Sequence, residues 1–485
     1  MISFYFRDTM CTSGQRQGGH RSSNYGRLAC EWLKKLLALL HGLFDILVDY
    51  AFGLYYNDTT RKIAQVNGVL NAVVDERYND ALEEARAADK LIESGEWEAE
   101  NLKIARPFHG VPFTTKESTA VKGLHHSIGL LCRRNVIATE DAEVVVLMRR
   151  AGAIPLALTN IPELCMWYET RCNVYGQTNN PYDTNRMVGG SSGGESSLLA
   201  ACGSPFGIGS DIGGSIRMPA FFCGIFGHKP TTGTTPLRGL SRRVGGEVSM
   251  AVAGPMSKHA EDLLPSLAIL VDVSQLRICY MEDDGGDLLV SPVCRELNQS
   301  MQKAISHLRE ITKEPPKKIY LPGMKHSRKL WRHMLTKEPE KLAEELTNRE
   351  GAVIWWAEIV RMLFGHSEYT LPSVLRLIDL KLPQVKPQWA EEKLKALLED
   401  LKVTSHPYPA LYHYAAFLRP YNYSYSAVIN ALNIPATQVP LGLSKNGLPL
   451  GVQVVAAPFN DRLCLAVAEE LERRCGGWVP PFKTS

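Results

Sequence analysis

Residues 189–196 read GGSSGGES, and a second glycine-rich run, GIGSDIGGSIR, occupies residues 207–217. Glycines this closely spaced let backbone amides approach a ligand, because no side chain holds the ligand at a distance. Apolar segments flank both runs, whereas a flexible linker would be polar throughout. The two runs therefore predict a ligand-facing backbone segment inside a folded domain.

Two other interpretations of these runs are disfavoured. Neither GxGxxG nor GxxxxGK[ST] occurs in them, which argues against a nucleotide phosphate site. The spacings Gly189–Gly193 and Gly190–Gly194 match GxSxG and formally offer Ser191 or Ser192 as the nucleophile of an α/β-hydrolase. That arrangement needs a strand directly before the serine, whereas Asp183–Val188 is polar and turn-like. We therefore expect a different kind of serine site.

The sequence around the glycine-rich centre predicts alternating strands and helices. Short apolar runs at Ala153–Leu158 and Phe206–Ile208 predict strands, and Ala142–Ala151 predicts a helix. This alternation is typical of a mixed α/β sheet. Farther along, Thr437–Leu443 and Pro449–Ala456 flank a Lys-Asn-Gly turn and predict a β-hairpin.

Helices are predicted on either side of this sheet region. The apolar spacing from Thr59 to about Gly95 predicts one continuous helix, and a C-terminal helix should begin at Asp461 and stop at Gly476. Residues 285–400 are richer in charge and helical pattern, so we expect them at the periphery. Since no repeat or low-complexity linker divides the region, we predict one domain over residues 58–485.

The composition restricts the classes of function. Of the 485 residues, 45% are hydrophobic and 22% charged, a balance typical of a chain with a sizeable core. The net charge is only +3, so there is no strong field to attract nucleic acid. Cysteines and histidines are dispersed, without CxxC or HExxH, which disfavours a zinc hydrolase.

One stretch, Leu36–Tyr56, approaches the length of a membrane span. Its apolar residues favour insertion by about 0.3 to 0.6 kcal/mol each, but Asp45 and Asp49 oppose it by about 2.5 to 3.5 kcal/mol each, so the contributions nearly cancel. With His41, the two aspartates would form one polar stripe on a helix. We predict that residues 1–57 are a basic N-terminus and a membrane-associated helix that either spans the bilayer or lies in its interface. The compartment stays open.

Lys116 lies in the segment GVPFTTKES, and the second glycine-rich run continues as GIGSDIGGSIRMPAFFCGIFGHKPT. Together with GGSSGGES, these segments resemble the amidase-signature family, and within it the fatty-acid amide hydrolases, from about Ala64 to Trp478. The resemblance implies an α/β fold in which helices surround a large mixed β-sheet. It also implies amide hydrolysis without a metal or organic cofactor, and a cis peptide bond between Gly190 and Ser191.

The resemblance assigns three catalytic residues: Ser215 as the nucleophile, Ser191 as the bridging serine and Lys116 as the base. A serine hydroxyl attacks an amide poorly near neutral pH unless a base takes its proton. Lysine can be that base only when it is neutral, and burial favours the neutral form of an amine. We therefore expect Lys116 to be buried.

The resemblance also assigns the groups that would hold the substrate. It places the oxyanion hole at the backbone N–H groups of Ile212, Gly213, Gly214 and Ser215. It places Cys165 and Met166, followed by Trp167, on the wall of an acyl channel, where apolar side chains would suit a long chain. Ser192 is expected to support the network through a hydrogen bond, and Arg217 to hold the loop through Asp211.

These features give a first hypothesis and two alternatives. The first is a membrane-associated serine hydrolase that cleaves fatty-acid amides, with a lipid amide and the membrane as partners and no nucleic acid. The alternatives are an amidase of a small soluble amide and an inactive relative with a binding role. Three places that look shortened against the family, before Ile63 and near residues 268–277 and 403–407, favour the last. A homodimer is compatible with the N-terminal helix.

Overall fold

A mixed β-sheet lies at the centre of the computed structural model. The residues described are 63–481 without 96, 246–247, 264–278, 283–292, 313, 339–340, 401–402, 405–409, 415 and 417–420. The strands are β1 (Val73–Glu76), β2 (Pro112–Lys116), β3 (Ile154–Thr159), β4 (Arg171–Cys172), β5 (Gly176–Gln177), β6 (Phe206–Asp211), β7 (Phe226–Lys229), β8 (Val252–Ser257), β9 (Cys279–Tyr280), β10 (Lys317–Lys318), β11 (Val403–Thr404), β12 (Ala436–Leu443) and β13 (Pro449–Val455).

Helices surround this sheet. They are α1 (residues 63–70), α2 (Tyr78–Glu93), α3 (Ala99–Ala105), α4 (Glu143–Arg150), α5 (Gly193–Ala200), α6 (Arg217–Phe222), α7 (Arg295–Ile311), α8 (Ser327–Leu335), α9 (Leu342–Glu345), α10 (Trp355–Leu363), α11 (Leu371–Lys381), α12 (Pro387–Asp400), α13 (Ser424–Ala431) and α14 (Asp461–Cys475). Short 3₁₀ turns occur at Leu131–Arg133, Glu163–Cys165, Ala260–Asp262 and Met324–His326.

The large sheet combines parallel and antiparallel pairs. Within the described residues it has nine strands in the order β1-β3-β2-β6-β8-β7-β12-β13-β11. Strand β2 runs parallel to both β3 and β6, and the remaining pairs are antiparallel. Every residue of β2 and β3 is buried, because helices cover both faces of a sheet that contains parallel strands. The predicted mixed α/β sheet is confirmed.

The two glycine-rich runs lead into helices that are buried on every side. All residues of α5, which begins within the first run, are buried, as are all residues of α6, which follows the second. A helix hydrophobic or small on every side belongs in the interior of a large domain. The prediction that these runs are not linkers is therefore confirmed.

The predicted continuous helix from Thr59 to Gly95 is wrong, because β1 interrupts it. Asn67 ends α1: its Oδ1 accepts hydrogen bonds from the N–H groups of Ala72 (2.8 Å) and Val73 (2.7 Å). Its Nδ2 also donates to the carbonyl of Val73 at 2.9 Å. An asparagine that bonds the backbone in this way competes with the helix. The chain then enters the sheet before α2 begins.

The C-terminal predictions are confirmed. Strands β12 and β13 pair as an antiparallel hairpin, with Gly447 at a φ of 73° in the connecting turn. Helix α14 starts at Asp461 and ends at Gly476, whose φ of 91° provides a left-handed helix cap. Helices α7 and α14 pack on β12 and β13 in one apolar cluster.

The predicted N-terminal membrane helix lies outside the described residues, as does the whole segment 1–57. Within the part of the chain that the structure describes, no helix is long and apolar enough to cross a membrane. Of the three places that look shortened, residues 268–277 and the chain just before Ile63 also lie outside the described residues.

A buried ion pair connects the centre of the sheet to its neighbours. The Arg217 side chain is fully buried and contacts the Asp211 carboxylate through Nε and Nη2, both at 3.0 Å. Nη1 donates to Gln453 Oε1 on β13 at 3.0 Å. Nη2 also donates to the carbonyl of Ser426 (3.0 Å) and to Asn430 Oδ1 (2.6 Å), both on α13. One guanidinium therefore joins β6, β13 and α13, and the predicted Arg217–Asp211 contact is present.

Replacing Arg217 by Met should destabilise the fold severely. The substitution leaves the Asp211 carboxylate buried without its cation, which typically costs about 3 to 5 kcal/mol. Equilibrium unfolding in urea should show the loss as a lower midpoint. The matched control is Arg473→Met, which removes an exposed ion pair with Glu470 and should leave the midpoint unchanged. Equal midpoints for the Arg217 variant and the native chain would contradict this account.

Candidate active site

Lys116, the last residue of β2, has a fully buried side chain. Its Nζ donates hydrogen bonds to Ser191 Oγ at 2.8 Å and to Ser210 Oγ at 2.9 Å. Burial lowers the pKa of this amine, while Cys165, Asp211 and Glu195 act in the opposite direction. An amine whose pKa is lowered by desolvation can accept a proton near neutral pH.

The segment that carries Ser191 to Lys116 is closely packed where it enters α5. The Gly190–Ser191 peptide bond is cis, as the resemblance implied. Gly193 and Gly194 start the helix against other chain segments: an added Cβ would lie 2.1 Å from Thr170 Oγ1 at the first and 2.4 Å from the Asn160 nitrogen at the second. Neither position has room for a side chain unless its neighbours shift.

Ser215 stands at the entrance to α6 and retains 6% of its accessible surface. Its carbonyl accepts a hydrogen bond from the Ser192 N–H at 3.1 Å, which joins the two glycine-rich runs directly. Ser192 Oγ lies 3.4 Å from both the N–H and the carbonyl of Ser210. Ser192 thus contributes hydrogen bonds within the network, where the sequence placed it.

The turn before Ser215 is held by the carboxylate of Asp211. The N–H of Gly214 donates to Asp211 Oδ1 at 2.7 Å, and the N–H of Ile216 donates to Oδ2 at 3.0 Å. Arg217, Lys229 and the hydrogen bond from Ile216 hold the pKa of Asp211 well below its usual range, despite burial. Gly214 adopts a φ of 115°, which only glycine tolerates readily.

One member of the predicted oxyanion hole, Gly214, donates its N–H within the turn. Because its N–H is donated to Asp211, Gly214 serves the turn rather than the cavity. Ile212 and Gly213, by contrast, line the cavity together with Ser215. The carbonyl of Ile212 is turned toward Trp331, whose Nε1 donates to it at 2.9 Å. The oxyanion hole stays a prediction, and the N–H groups of Ile212, Gly213 and Ser215 are its candidate donors.

The cavity beside Ser215 has a largely aromatic and sulfur-containing wall. Cys165 and Met166 line it, as predicted for the acyl channel, and Trp167 follows them. The other lining residues are Tyr168, Met218, Trp331, Arg376 and Tyr423. An apolar cavity next to a serine hydroxyl suits an acyl group.

Three residues of this wall had no sequence signal. Arg376 lies over the rings of Trp331 and Tyr423, 5.0 and 5.2 Å from their centroids, and donates to the Tyr423 hydroxyl at 2.9 Å. They come from α11, α8 and the start of α13, segments without a recognisable motif. In the sequence, Arg376 is a charged residue within an apolar segment of the region predicted to be peripheral, and this was the available indication of a buried role.

Glu163 fastens the other wall of the cavity to α11. Its Oε2 accepts hydrogen bonds from the N–H and hydroxyl of Thr370, both at 2.9 Å, and from the hydroxyl of Ser373 at 2.6 Å. These contacts satisfy donors at the helix N-terminus. The following residues, Leu164 and Cys165, both adopt positive φ angles (51° and 58°). The segment that carries Cys165 and Met166 is therefore fixed by the helix it contacts.

The α/β-hydrolase interpretation receives no support. Residues 183–190, all of which the structure describes, contain no strand before the serines. His413, one of the histidines available to such a site, instead lies 3.0 Å from Glu169 Oε1.

Comparison with known proteins identifies the family of this chain. The family model described as Amidase matches residues 56–275. Human fatty-acid amide hydrolase 2 is 43% identical over 458 residues, covering 87% of this chain and 86% of that protein. The chain belongs to the amidase-signature family. Fatty-acid amide hydrolase 2-A of Danio rerio is 41% identical, again covering 87% of this chain and 86% of the relative.

The predicted amidase-signature fold is confirmed by a solved structure as well. A bacterial aryl acylamidase of the amidase-signature enzymes superimposes with a TM-score of 0.66 at 20% identity, covering 86% of this chain and 92% of that one. At this identity the likeness concerns the fold alone. The amidase-signature fold accounts for the mixed sheet and for the helices that enclose it.

A fluorophosphonate should form a single covalent adduct on Ser215. We expect the intact mass to rise by one adduct in the native chain and to stay unchanged in Ser215→Ala. Lys116→Ala should slow labelling by about 10²- to 10⁴-fold, the usual contribution of a general base. Ser197→Ala is the matched control, since this buried serine of α5 donates to the carbonyl of Asn179 instead. An adduct on folded Ser215→Ala would refute the assignment.

Proposed function

We propose that this chain hydrolyses fatty-acid amides, either primary amides or N-acylethanolamines, to the fatty acid and ammonia or an amine. The observation that carries the proposal is the hydrogen bond from the buried Lys116 amine to Ser191, beside the apolar cavity of Ser215. Relatives named fatty-acid amide hydrolase 2, similar over most of the chain, support this substrate class.

The first half of the reaction forms an acyl-enzyme. Neutral Lys116 accepts the proton of Ser191, which takes the proton of Ser215 as the Ser215 oxygen attacks the amide carbonyl. The developing oxyanion would accept hydrogen bonds from the N–H groups of Ile212, Gly213 and Ser215. Loss of one such donor typically costs about 2.7 to 4 kcal/mol of transition-state stabilisation.

The second half releases the products. The proton returns from Lys116 through Ser191 to the leaving nitrogen, so that ammonia or an amine departs in neutral form. Water then attacks the ester on Ser215, with the same relay as base. The bond between the acyl carbon and the Ser215 oxygen breaks, the relay returns the proton to that oxygen, and the carboxylic acid leaves. Lys116 is neutral again at the end of the cycle, so the relay is ready for another substrate.

The shape of the site favours a long acyl chain over a small amide. Trp167 lines both the cavity of Ser215 and a groove on the surface. Leu363, Tyr369 and Leu371 of the α10–α11 region also line this groove. A chain extending from Ser215 past Trp167 would therefore reach an apolar surface.

That surface is our candidate for contact with a lipid bilayer. Around α10, the exposed apolar side chains are Ile354, Trp355, Trp356, Val360, Leu363 and Phe364, and Leu371 and Leu375 continue the patch on α11. Exposed apolar patches of this kind mark interaction sites. Because a lipid amide partitions into membranes, we take the bilayer as the partner of this surface. The N-terminal membrane-associated helix would add a second contact, and a homodimer stays a prediction.

Two alternative functions remain distinguishable by experiment. An amidase of small soluble amides would need neither the apolar groove nor the exposed face of α10. An inactive relative would not need a buried lysine in contact with Ser191. The geometry therefore favours the lipid amide hydrolase over both.

Oleamide should be converted to oleic acid and ammonia by the purified chain. We expect kcat/KM for oleamide to exceed that for acetamide by more than about 100-fold, since each buried methylene contributes roughly 0.8 kcal/mol. Ser215→Ala should abolish turnover of both. Equal kcat/KM for the two amides would favour the small-amide alternative, and an adduct with no turnover of either would refute the proposed substrate class.

The full chain should float with phospholipid vesicles in a density gradient. The double variant Leu363→Asp/Phe364→Asp should reduce the bound fraction several-fold, because it places charge on side chains that are 80% and 72% exposed. Phe459→Asp is the matched control, with a side chain that is 77% exposed away from this patch. Leu43→Arg/Leu47→Arg tests the N-terminal helix separately. A native chain that stays at the bottom would contradict membrane association.

A further inference from the structure

Glu195 is a fully buried carboxylic acid in the first turn of α5 that the reaction above does not use. Its Oε1 accepts a short hydrogen bond from the hydroxyl of Thr114, and its Oε2 accepts one from the hydroxyl of Thr159 at 2.8 Å. Buried glutamates without a cation in direct contact are uncommon, because desolvation disfavours the charged form. Glu195 is therefore an unusual group to find in the interior of this domain.

The groups around the carboxylate are the neighbours of Lys116 in the sheet. Thr114 precedes Lys116 by two positions on β2, so both side chains leave the same face of the strand. Thr159 is the register partner of Lys116 on β3. Gly207 is the partner of Thr114 on β6, and a Cβ at Gly207 would lie 2.0 Å from Glu195 Oε1. The sheet thus leaves a space for this carboxylate beside the lysine.

The two groups influence each other's charge. Burial raises the pKa of Glu195 to about 7, although the two threonines and Lys116 lower it. In turn, the Glu195 charge raises the pKa of Lys116. Two other acidic groups act on the same amine: Cys165 from the cavity wall and Asp211 from the end of β6. Arg217 already neutralises Asp211, whereas Glu195 contacts the uncharged hydroxyls of Thr114 and Thr159.

We propose that Glu195 is a positioning residue whose charge sets the pH at which Lys116 becomes a base. The proposal rests on the proposed function, in which neutral Lys116 starts the proton relay. Ionised Glu195 stabilises the ammonium form of Lys116, which delays its deprotonation as the pH rises. During acylation the same charge stabilises the ammonium that forms when Lys116 accepts the proton of Ser191.

The sign of the effect follows from the charges. Glu195→Gln removes the negative charge at every pH and keeps a side chain of the same size. The pKa of Lys116 then falls, so the acid limb of the rate profile moves to lower pH. We expect a shift of about one pH unit, which makes the rate below the limb about tenfold higher relative to its plateau.

The test measures the rate of fluorophosphonate labelling of Ser215 between pH 5 and 9, with kcat/KM for oleamide in parallel. The matched control is Glu117→Gln, because Glu117 is also buried, follows Lys116 in sequence and has a pKa raised to about 7. Its carboxylate bonds Ser127 and Tyr175 instead. We expect the acid limb to move in Glu195→Gln and to stay in place in Glu117→Gln.

A second variant keeps the proposal testable if Glu195→Gln does not fold. Thr159→Val removes one hydrogen bond from ionised Glu195 but keeps the carboxyl, so it should shift the acid limb in the same direction by less. Acid limbs that coincide in the native chain and in folded Glu195→Gln would overturn the proposal, as would equal shifts in Glu117→Gln. Native chain that is labelled but does not cleave oleamide would refute the proposed substrate, while the labelling profiles would still decide the role of Glu195.

Discussion

The carboxylate of Asp211 is the fixed point on which the candidate site depends. It accepts hydrogen bonds from the N–H groups of Gly214 and Ile216 and pairs with the buried guanidinium of Arg217. Three separate requirements meet there, since the same oxygen atoms shape the turn, neutralise a buried cation and orient the start of α6. The position of Ser215 follows from that turn. Asp211, at the end of a central strand, thus fixes the position of Ser215 relative to the sheet.

The predictable part of the site is the part that lies in local motifs. Lys116, Ser191 and Ser215 could be placed from the sequence, because two short glycine-rich runs and one strand end supply all of them. Gly214 shows the limit of that reasoning. A glycine is required there for a φ of 115°, and its N–H donates to Asp211. A motif reports that a residue is needed without saying which of its atoms is used.

Other features could not be predicted, because they result from packing between distant segments. Trp331, Arg376 and Tyr423 meet at the cavity from three elements that share no pattern. Asn67 ends α1 with bonds to Ala72 and Val73, and this local competition overrides an apolar period that continues past it. In both cases the sequence contains the residues, whereas their contacts exist only after the chain has folded.

The carboxylate of Glu163 has a further consequence for engineering. It accepts hydrogen bonds from Thr370 and Ser373 at the start of α11, and the residues that follow it form the cavity wall at Cys165 and Met166. The lining of the cavity and the first turn of α11 are thus structurally coupled. A chimaera that exchanged only residues 164–167 with a relative would carry a wall shaped for a different helix. Transfer of acyl-chain preference between relatives requires the loop and the start of α11 to be exchanged together.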